Sequence, residues 1–219
     1  MTSTPPPPPP PPSGPPPGSS PVPAAAGAGG GYPVVLDFQR DYKVQNWRSL
    51  VNGILAIPHF IVLYVLGIAS AVLWIVSFFT ILFTKRNPFV NFQTMVLRYG
   101  WRVTSFAFFM RNEYPPFDFA TAPGENVPDA AVFEVADPGD MSRLLIFVKW
   151  LMVIPHLFVL WFLGIGVLFA WIGAFFAVLF TGAWPEGLRK FVIGYERWSL
   201  RISAYVFFLT DEYPPFSLD

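Results

Sequence analysis

Two long stretches of this chain carry no charged side chain: Ile57–Thr84, IPHFIVLYVLGIASAVLWIVSFFTILFT, and residues 154–181, IPHLFVLWFLGIGVLFAWIGAFFAVLFT. Apolar residues occupy every side of a helix drawn through either, which predicts burial in a membrane rather than a surface helix. Upstream of the first, Trp47, Leu50, Val51, Ile54 and Leu55 recur at spacings of three and four, with Arg48, Ser49 and Asn52 off the stripe. That pattern predicts an amphipathic entry helix with Trp47 at interface depth. Residues 141–153 repeat it, with Lys149 as the late charge.

Downstream of each stretch the pattern becomes amphipathic again. Phe92, Met95, Val96, Tyr99, Val103, Phe106 and Met110 oppose Asn91, Thr94, Arg98 and Arg102. In the same way Phe191, Tyr195, Trp198, Ile202, Tyr205 and Leu209 oppose Lys190, Gly194, Arg197 and Arg201. Asn87-Pro88 and Pro185-Glu186 open these helices, because Asn caps a helix and Pro suits its first turn. Alternation at 34–38 and 131–136 predicts short strands. The residues after each proline pair, Phe117-Asp118-Phe119 and Phe216-Ser217-Leu218, read as two more, the four making a small sheet on the membrane surface.

The chain is one unit written twice. Pro58, His59, Gly67, Phe83, Thr84 and Pro88 match Pro155, His156, Gly164, Phe180, Thr181 and Pro185 at an offset of 97. Beyond Pro185 the offset is 99: Arg98, Arg102 and Glu113-Tyr114-Pro115-Pro116-Phe117 match Arg197, Arg201 and Glu212-Tyr213-Pro214-Pro215-Phe216. The period is far longer than a solenoid repeat, so this is tandem duplication of a subdomain. The organisation expected is a tail over 1–31, a first copy over 32–119, a linker over 120–130 and a second copy over 131–219. The architecture is mainly α, integral to a membrane. Each copy runs strand, entry helix, long hydrophobic helix or hairpin, Arg-striped helix, and YPPF strand.

Residues 152–184 lack charge for 33 positions, about 50 Å of helix against a hydrocarbon core of about 30 Å. Two arrangements absorb the excess: a helix kinked at its proline and crossing once with tilt, or a hairpin near Gly67 and Gly164 that enters and leaves on one side. With single crossings the 14 Lys and Arg divide seven against seven. A tie fits either a chain whose charges share one face or an inverted repeat.

Composition narrows the chemistry. Lys+Arg and Asp+Glu balance at 14 each, with no basic excess to suggest nucleic acid. Hydrophobic residues make 53% and charged residues 13%, well under the charge of an ordinary soluble domain. No cysteine is present, which removes disulfides and thiolate chemistry, and two histidines are a poor metal set. No signal peptide pattern opens the chain. The run Pro5–Pro12 and the Ala/Gly stretch at 24–31 form a tail unable to bury a core. It reads as polyproline II, serving as a spacer or as a ligand for an aromatic groove on a protein partner.

Candidate functional residues follow from the repeated positions. Arg98, Arg102, Lys190, Arg197 and Arg201 form basic stripes suited to anionic lipid headgroups, or to nearby acids such as Glu113 and Glu212. His59 and His156 are the ionisable groups of the membrane segments. Their functional reading competes with a structural one, in which each satisfies the carbonyl freed by the preceding proline. No Ser/His/Asp set, metal cluster, phosphate loop or paired carboxylate appears, so no catalytic residue, cofactor or metal is expected.

With IPH, LFT, a proline, two arginines and EYPPF in tandem, residues 32–219 resemble a family of bacterial membrane proteins known only as a domain of unknown function. Copy two, with LFTGAWPEGL and LTDEYPPFSLD, is closer to the usual pattern. Copy one has Lys85-Arg86-Asn87 in place of Gly182-Ala183-Trp184. The resemblance implies residence in the bacterial plasma membrane and no particular activity. The function expected is a non-enzymatic envelope scaffold or adaptor with lipid-contacting interfacial helices. The alternative is a protein that binds or transports a lipid or small solute between its two copies.

Overall fold

A computed structural model of the protein describes residues 31–38, 43–121, 129 and 131–219. The tail and linker expected from the sequence lie almost entirely outside the described residues. The elements run β1 (Val34–Phe38), α1 (Arg48–Leu55), α2 (Ile57–Thr84), α3 (Val90–Ala107), β2 (Ala131–Val135), α4 (Leu145–Thr181) and α5 (Glu186–Val206).

Both hydrophobic stretches are single helices, with no turn at Gly67 or Gly164. LGIASA contains no Pro, Asn or Asp to make a turn, and every intrahelical bond it would give up has no other partner in an apolar setting. The two prolines act differently. Pro58 sits in the first turn of α2, just past a break at Ala56, whereas Pro155 lies inside the 37 residues of α4. Copy one has Gly53 where copy two has Trp150, and glycine weakens the helix just ahead of that break. The lengths and apolarity of α2 and α4 are enough to cross a membrane.

Each hydrophobic helix ends in the left-handed region, at Lys85 (φ 63°) and at Gly182 (φ 66°). Glycine is at ease there, and a Cβ on Gly182 would come within 2.7 Å of the Asn46 side chain. Lys85 accepts the strain in copy one. Helices α3 and α5 end the same way at Phe109 (φ 46°) and Phe208 (φ 58°).

The two copies exchange strands. β1 pairs antiparallel with β2, with Leu36 opposite Phe133 at the centre. Val34, Leu36, Phe38, Ala131 and Phe133 all face the same buried side. β1 of copy one packs on α5 of copy two, and β2 of copy two packs on α3 of copy one. The expected strands at 117–119 and 216–218 do not form: the proline pairs remove ladder donors, and Phe117 and Phe216, about half exposed, stack over the histidines.

Reciprocal contacts extend the exchange. The Val44 N–H donates to Gly182 O (2.8 Å) and the Met141 N–H to Lys85 O (2.7 Å). The start of each copy therefore meets the end of the other copy's long helix, and α1–α2 runs antiparallel to α4. The Trp184 indole donates to Phe109 O (3.1 Å), and the Asn87 amide, its counterpart, donates to Phe208 O (3.0 Å). These pairs describe a pseudo-twofold axis through the centre of the two-stranded sheet and perpendicular to it.

The result is three layers. The sheet lies on α3 and α5, and these lie on α2 and α4. The outer faces of α2 and α4 are left bare: Ile61, Tyr64, Ile68 and Phe83 on one, and Phe158, Phe162, Phe169 and Phe180 on the other, are all more than half exposed. Only 11% of the most apolar stretch of α2 and 22% of that of α4 is buried inside the molecule, which leaves a large apolar surface open on both.

Candidate functional site

The arginine stripes of α3 and α5 point inward, under the sheet. Arg98 is buried; its Nε donates to Phe133 O (3.0 Å) and its Nη2 meets Glu134 at 2.8 Å. Arg197, its counterpart, donates from Nε to Leu36 O (3.2 Å) and from Nη1 to Leu218 O (3.1 Å). Each therefore holds the strand contributed by the other copy. A guanidinium fork suits this, since it satisfies carbonyls and a carboxylate together in a confined space. Arg102 pairs with Asp118 at 2.9 Å with both side chains nearly covered.

Arg201 stands where Arg102 does, but Ser217 replaces Asp118. Its Nε and Nη1 have no hydrogen-bond partner among the described residues, and its guanidinium lies 5.7 Å from the Tyr32 ring. Burial, and then the nearby Arg197, hold its pKa below the usual range. Lys190 is exposed and pairs with Glu186 one turn away. The acids that meet Arg98 and Arg102 are thus Glu134 and Asp118, which the sequence reading did not single out. Their signal was present: Glu134 alternates outward on a predicted strand, and Asp118 follows EYPPF.

His59 and His156 are fully buried, each in an aromatic cluster of its own copy. The His59 ring stacks on Phe117 (4.2 Å between centroids, 15°) beside Tyr114. The His156 ring stacks on Phe216 (3.9 Å, 13°) beside Tyr213. This is what the EYPPF motif builds. The proline pair turns the chain back along the helix so that its Tyr and Phe enclose the imidazole. Neither imidazole reaches the carbonyl freed by its proline. His59 Nδ1 pairs with the Tyr99 hydroxyl (2.5 Å), and His156 Nδ1 accepts from the Trp198 indole (3.0 Å). An indole N–H only donates, so His156 is the neutral tautomer with its proton on Nε2.

A further position separates the copies. Lys149 is buried where copy one has Asn52; its ammonium donates to Thr210 O (2.6 Å), pairs with Asp211 (2.9 Å) and lies 4.5 Å from the Tyr205 ring centroid. Asn52 instead donates to Phe106 O (2.8 Å).

Between the copies runs an apolar groove of about 480 Å³. Gly53, Phe60, Ala107 and Phe108 line it from copy one, and Gly164, Leu168, Trp171, Tyr195 and Glu196 from copy two. The pseudo-symmetric position holds a smaller pocket of about 210 Å³, narrowed by Trp150 and Val206 where the groove has Gly53 and Ala107. Glu196 stands where copy one has Leu97, and sequence reasoning missed it. The signal was a carboxylate placed beside the aromatic stripe of α5.

Burial raises the Glu196 carboxyl from its usual 4.5 to about 7. The folded chain therefore keeps a proton that the unfolded chain releases above about 4.5, and stability falls as pH rises from about 4.5 to 7. Glu196→Gln is expected to remove this slope, raising the Tm at pH 8 by several degrees while leaving that at pH 4.5 unchanged. Thermal melts at the two pH values check it.

The fold and these sites define a helical protein made of two interlocked copies, with one face uniformly apolar. The chain belongs to the family described as a domain of unknown function, DUF4389, whose model matches it twice, over residues 46–118 and 143–217. Both exchanged strands precede the matched regions. No curated protein and no solved structure matches the chain.

Proposed function

We propose that this chain is a non-enzymatic membrane-embedded scaffold of the bacterial plasma membrane, seated in one leaflet. The observation that carries this reading is the opposition of its two faces. The pseudo-twofold axis is perpendicular to the sheet, so α2 and α4 lie on the same side of the molecule, antiparallel, with their bare apolar faces pointing away from the sheet. Laid flat, these faces enter the acyl region while the outer side of the sheet, with Asp37 and Glu134, stays in water. Stood upright, the helices would place the sheet and its arginines at mid-bilayer depth, where buried charge is costly. The flat arrangement also accounts for the seven-against-seven division of Lys and Arg, because all charges then share one side. Anionic headgroup contact falls to Lys190, the most exposed of the candidate cations. The proline tail is proposed to reach a protein partner from that same side.

Single cysteines at Thr121 and Ser217, labelled in intact cells with a membrane-impermeant maleimide, test the seating. Both are expected to react from the same side and to the same extent. Opposite protection of the two would mean that each long helix crosses the bilayer, and would end the flat arrangement. A second reading, binding of a lipid-like solute between the copies, is supported by the groove that holds Glu196.

A further inference from the structure

We infer that the inter-copy groove is a binding site for a single-chain amphiphile with a cationic ammonium head, whose head is met by Glu196 and whose chain lies along Trp171, Leu168 and Phe60. The groove stands on geometry alone and does not depend on how the molecule sits in a membrane.

The copies differ in a concerted way here. Copy one has Leu97 at the sequence position of Glu196, and the smaller pocket of that half, about 210 Å³, is lined by Trp150 and Val206. Gly53 and Ala107 open the groove where those bulky residues would close it. A Cβ on Gly53 would meet nothing within 4 Å, so the space is not a requirement of backbone packing. The mouth carries Phe60 and Leu168, both about half exposed, while Glu196 comes from α5 in the layer beneath.

The carboxylate decides the ligand class. Among the described residues Glu196, part-buried, has neither a hydrogen-bond nor an ion-pair partner, whereas the buried Arg98, Arg102, Arg111 and Lys149 each meet a carboxylate. An acid at the end of an apolar, aromatic groove is complementary to a cation on an apolar body. The Trp171 and Phe108 rings add faces that attract an ammonium group. Once Glu196 is ionised, above about pH 7, a fatty acid or other anionic amphiphile would set like charge against it.

The test uses the full chain in a non-ionic detergent and a dodecylammonium probe with a photoreactive diazirine in its chain. Cross-linked positions are mapped by peptide mass spectrometry. Saturable labelling is expected within residues 164–171, displaced by dodecyltrimethylammonium and not by dodecanol. Glu196→Gln is expected to weaken it at least tenfold, or about 1.4 kcal/mol, and Gly53→Trp to weaken it by narrowing the groove, as Trp150 narrows the pocket of the other half. Thermal melts establish that both variants are folded. Equal labelling of wild type and Glu196→Gln, or equal labelling by a photoreactive dodecanol, would make the groove an unselective slot for acyl chains and overturn the proposal. Absence of saturable labelling at 164–171 would overturn it as well.

Discussion

Arg111→Met is expected to lower the unfolding free energy by about 3–5 kcal/mol. Arg111 follows the left-handed turn at Phe109 that ends α3, and its side chain reaches Asp129, two residues before β2. There it forms a two-pronged pair with Asp129, Nη1 to Oδ1 at 2.5 Å and Nη2 to Oδ2 at 2.7 Å. The side chains are 2% and 3% exposed. A pair this deeply covered contributes little over a well-packed apolar pair, but half of it is costly, because the remaining charge has no water to return to. Asp129 also accepts the Ala131 N–H (2.8 Å) that opens β2, so a shifted carboxylate loosens the strand that copy two lends to copy one. The double variant Arg111→Met with Asp129→Asn is expected to recover more than half of the loss. Chemical denaturation of the wild type, the two single variants Arg111→Met and Asp129→Asn, and the double variant in detergent gives the coupling directly. A loss under about 1 kcal/mol for the single variant would mean the carboxylate finds another partner or reaches solvent.

Trp184→Ala carries the second large effect, about 3–5 kcal/mol. Trp184 is buried between α4 and α5, with its ring 5.6 Å from that of Phe109 and its indole on the Phe109 carbonyl. Truncation opens a cavity at the joint between copies and leaves that carbonyl without its donor. Trp184→Phe separates the two effects: it keeps most of the packing, loses the hydrogen bond, and is expected to cost about 1–2 kcal/mol. Asn87→Ala, at the mirror position, removes a smaller side chain and should fall near the Phe variant. Denaturation midpoints at constant slope rank the three. A ranking with Asn87→Ala as the most damaging would mean that the Phe208 joint, not the Phe109 joint, holds the copies together.

The helices and the duplication were legible because both rest on local pattern. The uncharged stretches, the three-and-four stripes and the EYPPF pair need no knowledge of distant residues. β1 and β2 were equally visible as alternations. What the pattern does not encode is which copy a strand serves, and this decides the meaning of the arginines. A stripe holding Arg98 and Arg102 on a helix with an aromatic opposite face is what an interfacial helix shows. It is also what a middle layer shows when a strand from the other copy lies on it. The hydrogen bonds from Arg98 to Phe133 O and from Arg197 to Leu36 O distinguish the two. EYPPF misled in a similar way. Proline forces extension, but extension is not pairing, and its aromatic rings had a partner in His59 and His156 that lies far away in sequence.

The exchange of strands also sets an order of events on the ribosome. Arg197 holds a carbonyl of β1 across 161 residues of chain, and β1 pairs with β2 only once the second copy has begun. While copy one is being made, its long helix is complete and its strand has no counterpart. The bare apolar face of α2 is therefore complete in the growing chain before the sheet can close over α3 and α5. Contacts of such sequence separation form late and slowly. Interlocking of the copies is therefore expected to be the last step of its assembly.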